Sequence, residues 1–225
     1  MMDITNNKLD TALIDSTIDF VKQTLAHAEG GHDWWHVYRV WKLSKTIAHG
    51  ENEANMLVVE LGALLHDIAD AKFHDGDETI GSKLASDFLK SKQVEKDIID
   101  RVLNIIQNIS FKNSFESSTT QSIELNIVQD ADRLDAMGAI GVARTFNYGG
   151  FKNREIYNPN IKPETFLTKE AYKNSITPTI NHFYEKLLLL KDKMTTSTGK
   201  QLAIQRHRFM ETYLKEFFDE WNGKR

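Results

Sequence analysis

Residues 64–72 read LLHDIADAK, an imidazole and a carboxylate side by side at the end of an apolar run, with Asp70 and Lys72 just behind them. A buried carboxylate costs several kcal/mol unless it is paired or bound to a metal. His66 and Asp67 therefore invite a partner, and two other stretches supply donors of the same kind. Upstream, GHDWWHVYRV (31–40) sets His32 and His36 four apart on one helical face, with Asp33 or His32 at the N-cap. Downstream, IELNIVQDADRLDAMGAIGVARTF (123–146) inserts Asp130, Asp132 and Asp135 among the core-facing residues Ile123, Ile127, Leu134 and Met137. Imidazoles and carboxylates together form a nitrogen-and-oxygen site for a divalent ion. The chain has no cysteine, so thiolate sites and disulfides are excluded.

The elements that must carry these donors read as helices. Val94, Ile98, Val102, Ile105 and Ile109 recur at three to four residues, as do Leu202, Phe209, Tyr213, Phe217 and Trp221. Similar spacing predicts helices over about 8–28, 33–49, 53–68, 78–91, 119–137, 138–147 and 168–194. Breaks fall at Gly30-Gly31, Gly50, Gly76 and Gly149-Gly150. No period-two strand of useful length is present. The helix at 53–68 is apolar on nearly every side apart from Glu60, the pattern of a helix surrounded by protein. Trp34, Trp35 and Trp41 fall at helical spacing and are expected to pack in the core and its interfaces. The long stretch 148–167, with two of the three prolines and the aromatics Tyr148, Phe151 and Tyr157, is expected to be an irregular segment bordering a pocket.

The 225 residues contain no linker rich in proline, glycine or serine, and one compact domain over 1–225 is expected. Hydrophobic residues make up 40% of the chain, enough for a core, and the net charge of −4 provides no basic footprint for nucleic acid. No apolar run reaches the ~18 residues needed to span a bilayer. The start, MMDITNNKLD, is acidic and polar where a signal peptide is basic and then apolar. A cytoplasmic protein with a small-molecule substrate, no membrane and no nucleic-acid partner is the expectation. A homodimer is left open.

The order His36, then His66-Asp67, then Asp132 resembles the H…HD…D signature of the HD-domain superfamily of metal-dependent phosphohydrolases. GHDWWHVYRV, LLHDIADAKFHDGDE and QDADRLDAMGAIGVARTF are similar to the stand-alone bacterial branch, which includes nucleoside triphosphate pyrophosphohydrolases. The resemblance runs from about residue 20 to the C-terminus. It implies an all-α, multi-helix bundle with a central metal, its motifs lying within about 32–135 and packing helices over about 168–222. It further implies His36, His66, Asp67 and Asp132 as metal ligands, with Asp130 as rival or support for Asp132. The spare histidines His27, His49, His74, His182 and His207 do not match two-metal members, which implies a single ion. Nitrogen ligands suit manganese, iron, cobalt or nickel better than magnesium, which stays possible.

Asp70 matches an acidic position that orients water or assists proton transfer in several members. Lys72, Arg39, Arg133 and Arg144 are candidate phosphate contacts, each with an alternative life as a surface residue or ion-pair partner. Asp75 and Asp77 are candidate substrate contacts, though a polar turn capping the next helix explains them almost as well. The implied activity is hydrolysis of nucleoside triphosphates to monophosphate and pyrophosphate. The alternatives are a nucleotide monophosphatase, a cyclic-nucleotide phosphodiesterase, or a non-catalytic module that senses a nucleotide.

Overall fold

A computed structural model describes residues 2–26, 33–68, 79–109, 121–164 and 176–225. The elements among the described residues are all helical, with no strand, so the all-α expectation holds. In chain order the helices are α1 (Met2–Thr24), α2 (Trp34–Gly50), α3 (Met56–Leu65), α4 (Thr79–Ser91), α5 (Lys96–Asn108), α6 (Ile123–Asp135), α7 (Gly138–Phe151), α8 (Asn181–Glu185) and α9 (Ser197–Trp221). A 3-10 segment, Leu187–Lys193, stands between α8 and α9. None of these helices is long and apolar enough to cross a membrane. The chain divides into two compact units, Met1–Ala131 and Asp132–Arg225, with the boundary inside α6.

The first unit is organised around α3, whose sequence MLVVELGALL is buried at Val58, Val59 and every position from Leu61 to Leu65. Helices α1, α2 and α5 all pack against it. Close approach of α5 depends on Gly62: a Cβ there would lie 2.6 Å from Ile105 Cδ1. Asn55 caps α3, its side chain accepting the Val58 N–H, while its own N–H donates to Glu124 Oε1. Burial opposes the charge on Glu124. Hydrogen bonds from Asn55 and Ser122, together with the Arg101 guanidinium, outweigh it and hold the carboxyl below its ordinary pKa.

Two tryptophan positions on α2 depart from a simple core reading. Trp35 is 61% exposed, and it meets Tyr38 edge-on at the helix surface. Trp41 also stands edge-on to Tyr38, with the Lys42 and Lys45 ammonium groups over its indole. Trp35 thus lies outside the core, whereas Trp41 is partly buried, its exposed side covered by the two ammonium groups.

Of the helix expected over 168–194, residues 168–175 lie outside the described residues, and the described part, 176–194, is divided into shorter pieces. Residues 176–180, which include Pro178, are not helical; α8 lasts five residues and ends at Lys186 with φ −144° and ψ −57°. The leucine run that follows is continuous rather than spaced by 3.6, and a 3-10 turn of three residues buries Leu187 and Leu190 together while Leu189 stays 51% exposed. On α9 the buried stripe is Gly199, Ala203, Met210 and Leu214, offset from the expected stripe, and Phe209 is 47% exposed. Small Gly199 and Ala203 admit close neighbours, whereas Tyr213 and Phe217 extend sideways into a cluster with Phe146, Phe183 and Tyr157.

The described part of the irregular stretch after α7 is tied down. Thr179 and Ile180 N–H groups donate to the Glu155 and Ile156 carbonyls, Asn181 donates to the Ile161 carbonyl, and Tyr157 packs on Phe217, Phe218 and Trp221.

His182, at the start of α8, is held neutral. Burial, then the nearby Lys186 and Arg154 charges, lower its pKa to about 3 from the ordinary 6.5. Above pH 6.5 the folded and unfolded chains both carry it neutral, and its contribution to stability is complete. Below 6.5 the unfolded chain takes a proton that the folded chain refuses until about pH 3, so stability falls through that window. The loss of unfolding free energy between pH 7.5 and pH 5, measured in urea, is therefore expected to be smaller in His182→Gln than in the parent. An identical loss would assign the pH dependence to other groups.

Candidate metal centre

The N-cap of α2 is Asp33, whose carboxylate accepts the His36 N–H at 2.9 Å. That cap starts the helix at Trp34 and places His36 in its first turn, on the buried face it shares with Val40 and Ile47. His36 is 2% exposed. At the other end of α3, His66 is the C-cap residue and Asp67 follows it, both partly buried. Helices α2 and α3 pack side by side, bringing the start of one to the end of the other.

The result is a compact donor group of His36, His66 and Asp67, each offering one ligand atom, with these atoms within 4.8 Å of one another. His66 Nε2 and His36 Nε2 lie 3.3 Å apart, and His36 Nε2 and Asp67 Oδ2 lie 3.7 Å apart. Two nitrogens bonded to one ion at about 2.1 Å, at angles of about 90–110°, would be roughly 3.0–3.4 Å apart. The nitrogen pair fits that spacing.

The tautomer fits as well. His66 Nδ1 lies 2.8 Å from the Ala63 carbonyl oxygen, which can only accept, so Nδ1 carries the proton. In the neutral ring Nε2 is then the lone-pair nitrogen, aimed at His36. A histidine whose second nitrogen is fastened to a backbone carbonyl is the usual arrangement around a bound metal.

Asp130 and Asp132 both lie on α6, two positions apart, so they project about 200° apart around the helix and cannot serve one face together. Asp130 is completely buried within the first unit; Asp132 opens the second unit and is partly buried. Arg39 sits one turn after His36 on α2, half-buried. Asp70, Lys72, Asp75 and Asp77 lie outside the described residues, as does His32.

The two arginines of the third motif have observed partners. Arg133 Nη1 donates to the Lys193 carbonyl at 2.7 Å. Arg144 on α7 reaches back to Asp135, which is 1% exposed, at 2.5 Å. Arg206 of α9 donates to the Leu134 carbonyl, capping the end of α6; burial lowers its pKa and the Asp135 charge opposes that. The connecting turn needs Gly138, which has φ +70° and would set a Cβ 3.0 Å from Arg206 Cγ. The spacing of Asp135, Gly138 and Arg144 was visible in the sequence, but nothing in it announced that Asp135 and Arg144 are partners across a turn.

The HD domain family model matches residues 34–137. The chain is 38% identical to the protein YpgQ of Bacillus subtilis over 198 residues, 88% of each chain. It is similar to the crystal structure of an HD-superfamily hydrolase from Bacillus thuringiensis, with 44% identity, a TM-score of 0.76 and coverage of 95% of this chain and 98% of that one. It is also similar to the crystal structure of Bacillus subtilis YpgQ in complex with ADP, at 33% identity in that comparison, a TM-score of 0.75 and coverage of 94% and 96%. The chain belongs to the HD superfamily of metal-dependent phosphohydrolases.

Because Arg144 is bound to a buried carboxylate, Arg144→Gln should destabilise the protein by on the order of 3 kcal/mol in urea unfolding, since a buried charge left without its partner is expensive. A substrate-binding role without structural weight would instead leave stability unchanged and raise KM.

Proposed function

We propose that this chain hydrolyses nucleoside triphosphates to the monophosphate and pyrophosphate, using one divalent transition-metal ion held by His36, His66, Asp67 and Asp132. The observation that carries the reading is the 3.3 Å approach of the two Nε2 atoms beside Asp67. A nucleotide substrate is supported by the ADP bound in the structure of Bacillus subtilis YpgQ. Asp132 is supported by the match of Ala131-Asp132-Arg133 to the third motif of the family and by its partly buried position on α6. Manganese is the first ion to try, given two nitrogen and two oxygen donors. The cytoplasmic nucleotide pool is the proposed source of substrate.

When bound, such an ion polarises a phosphoryl oxygen and acidifies water at neutral pH. The chain's own residues supply the remainder. The Ala63 carbonyl holds His66 in the tautomer whose Nε2 carries the lone pair for coordination. Asp70 is assigned to orient the attacking water and take its proton. As the water oxygen bonds to the α-phosphorus, the bond from that phosphorus to the bridging oxygen breaks and pyrophosphate leaves. Lys72, Arg39 and Arg133 are assigned to the phosphate charges, Lys72 as a point charge and the arginines as planar donors. Asp75 and Asp77 are assigned to the substrate's polar edge.

The experiment presents metal-stripped protein with a panel of nucleoside tri-, di-, mono- and cyclic phosphates, adding each divalent ion in turn and identifying the products. Pyrophosphate from triphosphates is the expected product. Orthophosphate from monophosphates alone, or opening of cyclic nucleotides alone, would overturn the reading, and no turnover with any ion would favour a sensing module.

Two substitutions divide the roles. Asp70→Asn should keep the metal and lose about 10²–10⁴-fold in rate. Asp67→Asn should lose metal and rate together. Equal metal loss in the two variants would make Asp70 a ligand or its support.

A further inference from the structure

Glu60 is the one charged residue in α3, a helix otherwise built for burial. Its carboxylate faces α2: Oε2 accepts the Trp41 indole N–H at 2.8 Å and meets the Lys45 ammonium at 3.0 Å. Its side chain is only 14% exposed. His36 pairs with His66 and Trp41 pairs with Glu60, so the partner number falls on α3 as it rises on α2. The two helices are therefore antiparallel, and the Glu60 contact sits about one and a half turns from the histidine pair along each.

We propose that Glu60 is a positioning residue for the metal centre: its bond to Trp41 sets the register of α2 on α3 that brings His36 Nε2 within 3.3 Å of His66 Nε2. This rests on the reading of His36, His66 and Asp67 as metal ligands. Apart from the histidines and Ser44, the buried residues of the two helices are apolar, among them Val37, Val40 and Ile47 on α2 and Val58, Leu61 and Leu65 on α3. Apolar burial is non-directional and tolerates sliding. A slip of one residue moves a helix by about 1.5 Å, enough to carry two nitrogens out of the spacing that one ion requires. A hydrogen bond between an indole and a carboxylate is directional and resists that slip. Trp41 is the stronger half of the clamp, because Lys45 is a flexible, partly exposed cation.

The test measures manganese affinity by calorimetry on metal-stripped protein, with the melting temperature beside it, for five variants. His66→Ala comes first: unchanged affinity there would refute the ligand reading itself, separately from Glu60. Glu60→Leu, which keeps the apolar face and removes the acceptor, should weaken manganese binding about 10–100-fold. Trp41→Phe removes the same bond from the donor side and should weaken binding in the same direction, and it decides the question if Glu60→Leu fails to fold. Glu60→Gln retains an acceptor for the indole and should stay within about threefold of the parent, the rescue that a charge-only role would not give. Leu89→Ala, a buried truncation on α4, should lower the melting temperature and leave affinity unchanged. Parent-like affinity in folded Glu60→Leu or Trp41→Phe, or equal weakening by Leu89→Ala, would overturn the proposal.

Discussion

Nitrogen and oxygen donors at the end of an apolar helix are stable only if something satisfies them, and the first unit is arranged around that constraint. Helix α3 is buried on nearly all sides, so the donors at its end, His66 and Asp67, are delivered to a partly buried position where water compensates them only in part. His66 spends one nitrogen on the Ala63 carbonyl, and its other nitrogen faces the buried His36. A low-dielectric frame strengthens the attraction of such a donor group for a cation. The same frame fixes its geometry: Gly62 lets α5 in close, and caps at Asp33 and Asn55 determine where α2 and α3 begin.

The third motif solves a different problem. Asp135 is buried at the end of α6, and its charge is met by Arg144 from the next helix while Arg206 closes the α6 carbonyls. Those contacts anchor the last turn of α6, on which Asp132 lies one turn before Asp135. Cations in this motif thus serve at least partly to hold the helix that carries an acidic residue, which is why several arginines can stand beside the motif without all of them touching substrate.

Legibility in the sequence followed periodicity and composition. Helices α2 to α7 are readable because apolar residues recur at helical spacing, and α2 and α3 begin at the side-chain caps Asp33 and Asn55. His36 and the His66-Asp67 pair were readable as inward donors because they fall on those same stripes. Over residues 176–194 the chain departs from the expected helix because four consecutive leucines carry no period, and a 3-10 turn buries every third residue as readily as an α-helix buries its own face. The buried stripe of α9 was misplaced for a related reason: bulky aromatics drew attention away from Gly199 and Ala203, whose small size is what admits a neighbour. Partnerships across a turn or between helices, Asp135 with Arg144 and Glu60 with Trp41, leave no local signature, since each depends on a register that only the folded chain defines.

The most direct measurement is anomalous diffraction from crystals soaked in manganese and, separately, in cobalt. The expected result is one peak within about 2.0–2.3 Å of both His36 Nε2 and His66 Nε2, with Asp67 and Asp132 oxygens completing the protein ligands. A peak bound through other side chains, or a histidine pair that stays hydrogen-bonded with no ion between its nitrogens, would contradict it.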